Sequence, residues 1–205
     1  ILFAAAALIA GIGNASAQYP NRPVKWVVPY PPGGTTDILA RIVAVWLGDK
    51  LGQPFVVENK AGGGNNIGTE FVVKSPADGY TLLLVNPANA INATLYKNLP
   101  FNVVNDIAPV AGLVRTPNVM TVTNAFPAKT VAEFIDYCRK NPGKINMASS
   151  GSGTSVHLSG ELFKMMTGCS MLHVPYKGAG PALADLVAGQ VHVIFDNMPS
   201  AIGFI

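Results

Sequence analysis

Between Val27 and Asp37 an apolar run gives way to Pro29-Tyr30-Pro31-Pro32-Gly33-Gly34 and then to Thr35-Thr36-Asp37. Prolines and glycines end the extended run. Hydroxyls and a carboxylate are the residue types that cap a helix. The stretch therefore reads as a rigid turn from a strand into a helix. Such a turn points free backbone N–H groups at whatever sits above the strand, which is a ready anion site. An ordinary capped turn has the same composition. The choice between the two depends on the rest of the chain.

The pattern around this turn is alternation. Residues 24–29 read as a buried strand. Residues 35–51 read as a helix, with Ile38, Leu39, Ile42, Val45, Trp46 and Leu51 at helical spacing and Gly52 as its C-cap. A short strand at 55–58, a Gly62-Gly63-Gly64 loop, a helix at 67–73 and a strand at 80–85 follow, and Asn86-Pro87-Ala88-Asn89 breaks the last. Alternation of this kind predicts a parallel sheet covered on both faces. Residues 107–113 and 118–122 are strand-like, and Phe126-Pro127-Ala128 then punctuates the chain. A domain crossing is expected near 123–126.

Beyond it the alternation restarts. Thr130 and Glu133 form a capping box for a helix to about Lys140. A strand at 145–148 leads into the hydroxyl- and glycine-rich turn 149–155 and a helix stopped by Gly168. A strand at 171–174, a helix with Pro181 in its first turn and a strand at 191–195 complete the run. The expected organisation is a first α/β lobe over 18–123 and a second over 124–205.

With 49% hydrophobic and 12% charged residues, the chain is globular rather than disordered. Its net charge of +3 is scattered, so it carries no nucleic-acid footprint. Residues 1–12 are almost wholly apolar and precede Asn14-Ala15-Ser16-Ala17. This reads as a secretory signal over 1–17 with cleavage after Ala17. The run falls short of the ~20 residues of a membrane span. The mature chain, from Gln18, is expected to be exported, soluble and not membrane-spanning. Cys138 and Cys169 then lie in an oxidising compartment, where a bridge between them is expected. Two buried free thiols are the alternative.

Most catalytic readings fail. The 149–155 turn lacks the lysine of a phosphate loop, the spacing of a nucleophile elbow and a Ser-x-x-Lys pair. The triple glycine does not fit the dinucleotide fingerprint. His157, His173 and His192 are not spaced as metal ligands, and structural hydrogen bonding is the expected role of each. Asn92-Ala93-Thr94 matches a glycosylation sequon. What survives is a pair of hydroxyl- and glycine-rich βα turns, one per lobe. Each aims a helix N-terminus at the sheet edge where open α/β sheets bind ligands. A cleft between two such edges suits carboxylates, which accept N–H and hydroxyl bonds.

At these residues the chain resembles the Bug-type extracytoplasmic solute receptors of tripartite tricarboxylate transporters. The matching stretches are 28–37, 57–68, 148–158 and 173–183, in the family's order and at about its spacing. The resemblance implies an α/β, two-lobed periplasmic-binding-protein fold of type II-like form, each lobe a mainly parallel sheet flanked by helices. It implies that the first βα turn of each lobe grips a carboxylate. Carried over, that points to Tyr30, Pro31, Gly34, Thr35, Thr36 and Asp37 in one lobe. In the other it points to Ser150, Gly151, Gly153, Thr154 and Ser155. Asn86, Pro87 and Ala88 border the cleft, and Asp196 matches a family acid near the far end of the ligand.

The expected partners are a small carboxylate and membrane transporter subunits, with no cofactor and a monomeric state. Two other readings are an exported α/β hydrolase using one of the serines and a ligand sensor for a signalling kinase. The family chain continues past residue 205 and returns to the first lobe. A truncated chain of low stability is therefore expected, with an unpaired sheet edge.

Overall fold

The computed structural model describes residues 19–204. The expected signal segment and its cleavage after Ala17 lie outside the described residues. β1 (Val24–Val28) is the middle strand of a three-stranded parallel sheet in the order β2-β1-β3, with β2 at Phe55–Asn59 and β3 at Thr81–Leu83. Val24, Trp26, Val27 and Val28 are all buried, as a strand covered on both faces requires. α1 (Thr35–Leu51) packs on the sheet through the small side chains of Ala40 and Ala44. Gly52, at φ 72°, ends it in the left-handed region.

α2 (Asn66–Val73) lies against the start of the Pro29 turn. The chain then forms a helix where the sequence predicts only a break. Asn86 caps α3 (Pro87–Leu95) by accepting the Ala88 N–H, and Asn89 reaches back to the Asn86 N–H. Pro87 stands at the first helical position, where its missing N–H costs nothing. α4 (Val103–Asp106) is a single turn capped by Asn102.

The strand expected at 107–113 does not form, and the chain is irregular from Ile107 to Pro117. β4 (Asn118–Val122) pairs antiparallel with β7 (Val193–Asn197). It is the edge of a four-stranded sheet in the order β4-β7-β5-β6, with β5 at Ile145–Ser149 and β6 at Met171–Pro175. By sheet membership β4 belongs with the second sheet, although it precedes the crossing expected at 123–126. The 118–122 alternation marks a strand, but nothing local selects β7 as its partner.

α5 (Val131–Lys140) opens on the expected capping box, in which Thr130 Oγ1 accepts the Glu133 N–H. Its Phe134 and Cys138 join Ile145, Met147 and Phe195 on one face of the second sheet. On the other face Ala148 and Ile194 meet Ala182, Leu183 and Leu186 of α7 (Ala179–Val187). α6 (Ser155–Thr167) supplies Phe163 to the first cluster and Val156 to the second. α8 (Met198–Ala201) and a 3-10 turn at Ile202–Phe204 close the described chain.

The bridge expected between Cys138 and Cys169 is absent from this structure. Both are free, buried thiols of the same apolar cluster. Burial pushes the Cys138 thiol up to about 12, so it packs as a small neutral hydrophobe. Among the described residues no helix is long and apolar enough to cross a membrane.

Candidate functional site

The two turns meet at a small, partly open cleft. Its walls are Tyr30, Gly34, Thr35 and Thr36 of the first turn, Asn86 and Pro87 of the loop after β3, and Ser150, Thr154 and Ser155 of the second turn. Nine residues expected from the sequence are therefore brought together. Ala179 and Asn197 also line the cleft and were missed. Ala179 opens α7 just after Gly178, a helix start lacking the hydroxyl signature of the two turns. Asn197 ends β7, next to the predicted Asp196. Pro31, Asp37, Ala88, Gly151, Gly153 and Asp196 are not part of the wall.

The first turn is set by Asp37, which faces away from the cleft. Its carboxylate accepts the Gly33 N–H at 3.0 Å, Arg41 Nε at 3.0 Å and Asn59 Nδ2 at 2.9 Å. Asn59 Nδ2 also donates to the Tyr30 carbonyl at 2.9 Å. Burial alone would push the Asp37 carboxyl up. The bonds from Arg41, Asn59 and Gly33 outweigh it and hold the carboxyl below the ordinary range. Gly34 is the N-cap of α1 and supplies no side-chain cap, so the first N–H groups of the helix remain open toward the cleft.

Thr35 is committed across the cleft. Its hydroxyl donates to Ser200 Oγ at 3.0 Å and accepts the Ser200 N–H at 3.2 Å. Ser200 in turn bonds Asp196 Oδ2. Asp196 is wholly buried, and its Oδ1 has no hydrogen-bond partner among the described residues. Burial raises its carboxyl above the ordinary range.

The second turn is set by Thr154. It donates to the Gly151 carbonyl at 2.7 Å and accepts the His157 N–H at 3.3 Å, capping α6. Its only proton is spent within the turn. Thr154 lines the cleft with its hydroxyl proton committed to the turn. The Thr36, Ser150 and Ser155 hydroxyls are not drawn into the protein's side-chain hydrogen bonds among the described residues. Above them, Tyr30 Oη donates to Asn86 Oδ1 at 3.3 Å, and buried Asn86 Nδ2 has no partner.

The walls touch beside the cleft. A Cβ on Gly178 would stand 2.6 Å from Pro31 Cδ, and one on Gly64 would stand 2.7 Å from the Ser152 carbonyl oxygen. Both glycines are needed for this close approach. Asn92 of the predicted sequon is fully buried, donating to the Gly64 carbonyl at 2.8 Å and Asn66 Oδ1 at 2.9 Å, so no glycan fits there. The histidines take the structural roles expected: His157 Nδ1 accepts the Gly153 N–H, His192 Nδ1 accepts the Asn146 N–H, and His173 pairs with Ser149.

Among the described residues no lysine, arginine or histidine lines the cleft. Its uncommitted donors are the open helix N–H groups, the Thr36, Ser150 and Ser155 hydroxyls and the Asn86 amide. Such a site accepts an anion through directed donors rather than through a counter-charge.

A family model described as the tripartite tricarboxylate transporter family receptor matches residues 39–205. Protein BugT of Bordetella pertussis is 40% identical over 203 residues, covering 98% of this chain and 62% of BugT. A Rhodopseudomonas palustris protein solved with adipate is 42% identical, with a TM-score of 0.87 over 89% of this chain and 62% of that one. MatC of the same organism, solved with bound malate, is 32% identical, with a TM-score of 0.82 over 90% of this chain and 63% of MatC. The chain thus spans about three fifths of the length of each of these relatives.

Proposed function

Because the chain belongs to the tripartite tricarboxylate transporter receptor family, we propose that it is an exported periplasmic receptor for a small carboxylate. The ligand sits between the lobes and is handed to a membrane transporter. Binding is non-covalent. One carboxylate lies against the open N-terminus of α1 and the Thr36 hydroxyl, with Asn86 Nδ2 above it. The Ser150 and Ser155 hydroxyls and the first N–H groups of α6 meet it from the second lobe.

The single observation that carries this reading is the uncapped start of α1 facing a cleft with donors but no cation. The adipate and malate bound to two relatives fit the same chemistry. Hydrogen bonds to a charged group are worth about 1.5–3 kcal/mol each. Three or four of them, with two helix termini adding about 0.3–1 kcal/mol apiece, offset the cost of association and reach micromolar affinity, about −8 kcal/mol.

A thermal-shift comparison tests this. Adipate or malate raises the melting temperature, and the matching dimethyl ester does not. Equal shifts from acid and ester, or none from either acid, would overturn the reading. Export is checked separately: the N-terminus of the protein recovered from the periplasm should be Gln18.

A further inference from the structure

Two imidazoles lie beneath the second-lobe turn. The His157 and His173 rings stack with centroids 4.1 Å apart and planes 22° from parallel. His157 Nδ1 accepts the Gly153 N–H at 3.3 Å. His173 Nε2 is 2.6 Å from Ser149 Oγ, and that same oxygen accepts the Gly151 N–H at 3.2 Å. Each ring therefore governs one glycine of the turn. Gly151 and Gly153 lie at φ 126° and 83°, where glycine moves freely, so hydrogen bonds must fix the backbone.

We infer that His157 and His173 are positioning residues: as a neutral stacked pair they hold the 149–155 turn in binding geometry, and protonation of His157 releases it. The inference rests on the carboxylate reading of the cleft. Nδ1 accepts the Gly153 N–H only while it is bare, and in the imidazolium both ring nitrogens carry protons. Protonated His157 would set two N–H donors against each other. The turn would shift, and Ser150 and Ser155 would move with it.

The charged groups facing the pair come from α6. Glu161 Oε1 lies 3.8 Å from His157 Nε2 and is itself paired with Lys164 Nζ at 2.9 Å. Glu161 favours the imidazolium, while Lys164 and the neighbouring ring oppose it. Burial is the largest influence, and it holds both histidines below the ordinary value, His173 at about 4. The neutral pair is thus the state at neutral pH, and release belongs to the acid range.

The test uses the full chain with adipate as the calorimetric probe, between pH 7.5 and pH 4. Wild type is compared with His157→Asn and His157→Leu. Asparagine offers a carbonyl oxygen near the position of Nδ1 and does not titrate. Adipate's own protonation is common to all three proteins and cancels in the ratio of their affinities. The expected result is that wild type loses about tenfold more affinity than His157→Asn over this range. His157→Leu binds weakly throughout. In ligand-free spectra the Gly153 amide resonance should move in the same step as the His157 ring. Identical pH profiles for wild type and His157→Asn, or a Gly153 amide indifferent to that step, would overturn the inference. Failure of adipate to bind wild type at pH 7.5 would instead count against the carboxylate reading, and the spectra still decide the fate of the pair.

Discussion

The Thr35 hydroxyl donates to Ser200 Oγ at 3.0 Å and so ties the first residue of α1 to the second lobe. The same hydroxyl accepts the Ser200 N–H, making a two-point link beside the cleft. Thr35→Val keeps the shape and removes both bonds. Ligand affinity is expected to fall by about 1–2 kcal/mol, roughly tenfold, because the closed arrangement loses its tie. Calorimetry on adipate or malate measures it, and an unchanged dissociation constant would show that the Thr35–Ser200 link does not support binding.

Thr154 and Ser155 are neighbours with opposite assignments. Thr154→Val removes the cap of α6 and should cost about 1 kcal/mol of stability in urea unfolding, with Thr154→Ser restoring it. Ser155→Ala should leave unfolding almost unchanged and weaken carboxylate binding by about 1–2 kcal/mol. Exchange of these two phenotypes would mean that the hydroxyls have been assigned the wrong way round.

Gly68 is a helix-interior glycine, where alanine ordinarily gains about 1 kcal/mol. Here a Cβ would stand 2.8 Å from the Lys60 carbonyl oxygen and 2.9 Å from Pro29 Cα. Backbone on both sides cannot give way cheaply. Gly68→Ala is expected to lose about 1–3 kcal/mol of stability, the clash exceeding the propensity gain. A urea midpoint equal to or above wild type would show that α2 shifts without strain.

Asp37 makes the first turn sensitive to acid. Its folded pKa lies below the ordinary 3.8, so on acidification the unfolded chain takes up the proton first. The stabilisation is present above that ordinary value and is lost as pH falls through the folded pKa. Asp37→Asn should cost about 2 kcal/mol at pH 7. The gap from wild type should close at low pH, and a gap constant across the titration would exclude the carboxylate as its source.

The parts legible in the sequence were local. The Thr130–Glu133 box, the Gly52 and Gly168 stops and the two hydroxyl-rich turns are each defined by neighbours within a few residues, and each forms where expected. The Asn86–Asn89 cap was hidden because proline and asparagine signal a break and a helix start equally well. The pairing of β4 with β7 was hidden because register across sheets has no local signature. Within the site, residue type located the turns but not the direction of each side chain. Asp37 turns inward to Arg41 and Asn59, and Thr154 spends its proton on Gly151, because both satisfy backbone of the turn itself.

A crystal structure of the protein with adipate or malate tests carboxylate binding between the two turns most directly. A carboxylate is expected in the cleft, its oxygens about 2.7–3.2 Å from the first N–H groups of α1 and from the Ser150 or Ser155 hydroxyl, with no lysine or arginine in contact. A carboxylate bound at Arg41 or another surface cation, with the cleft left to solvent, would contradict it.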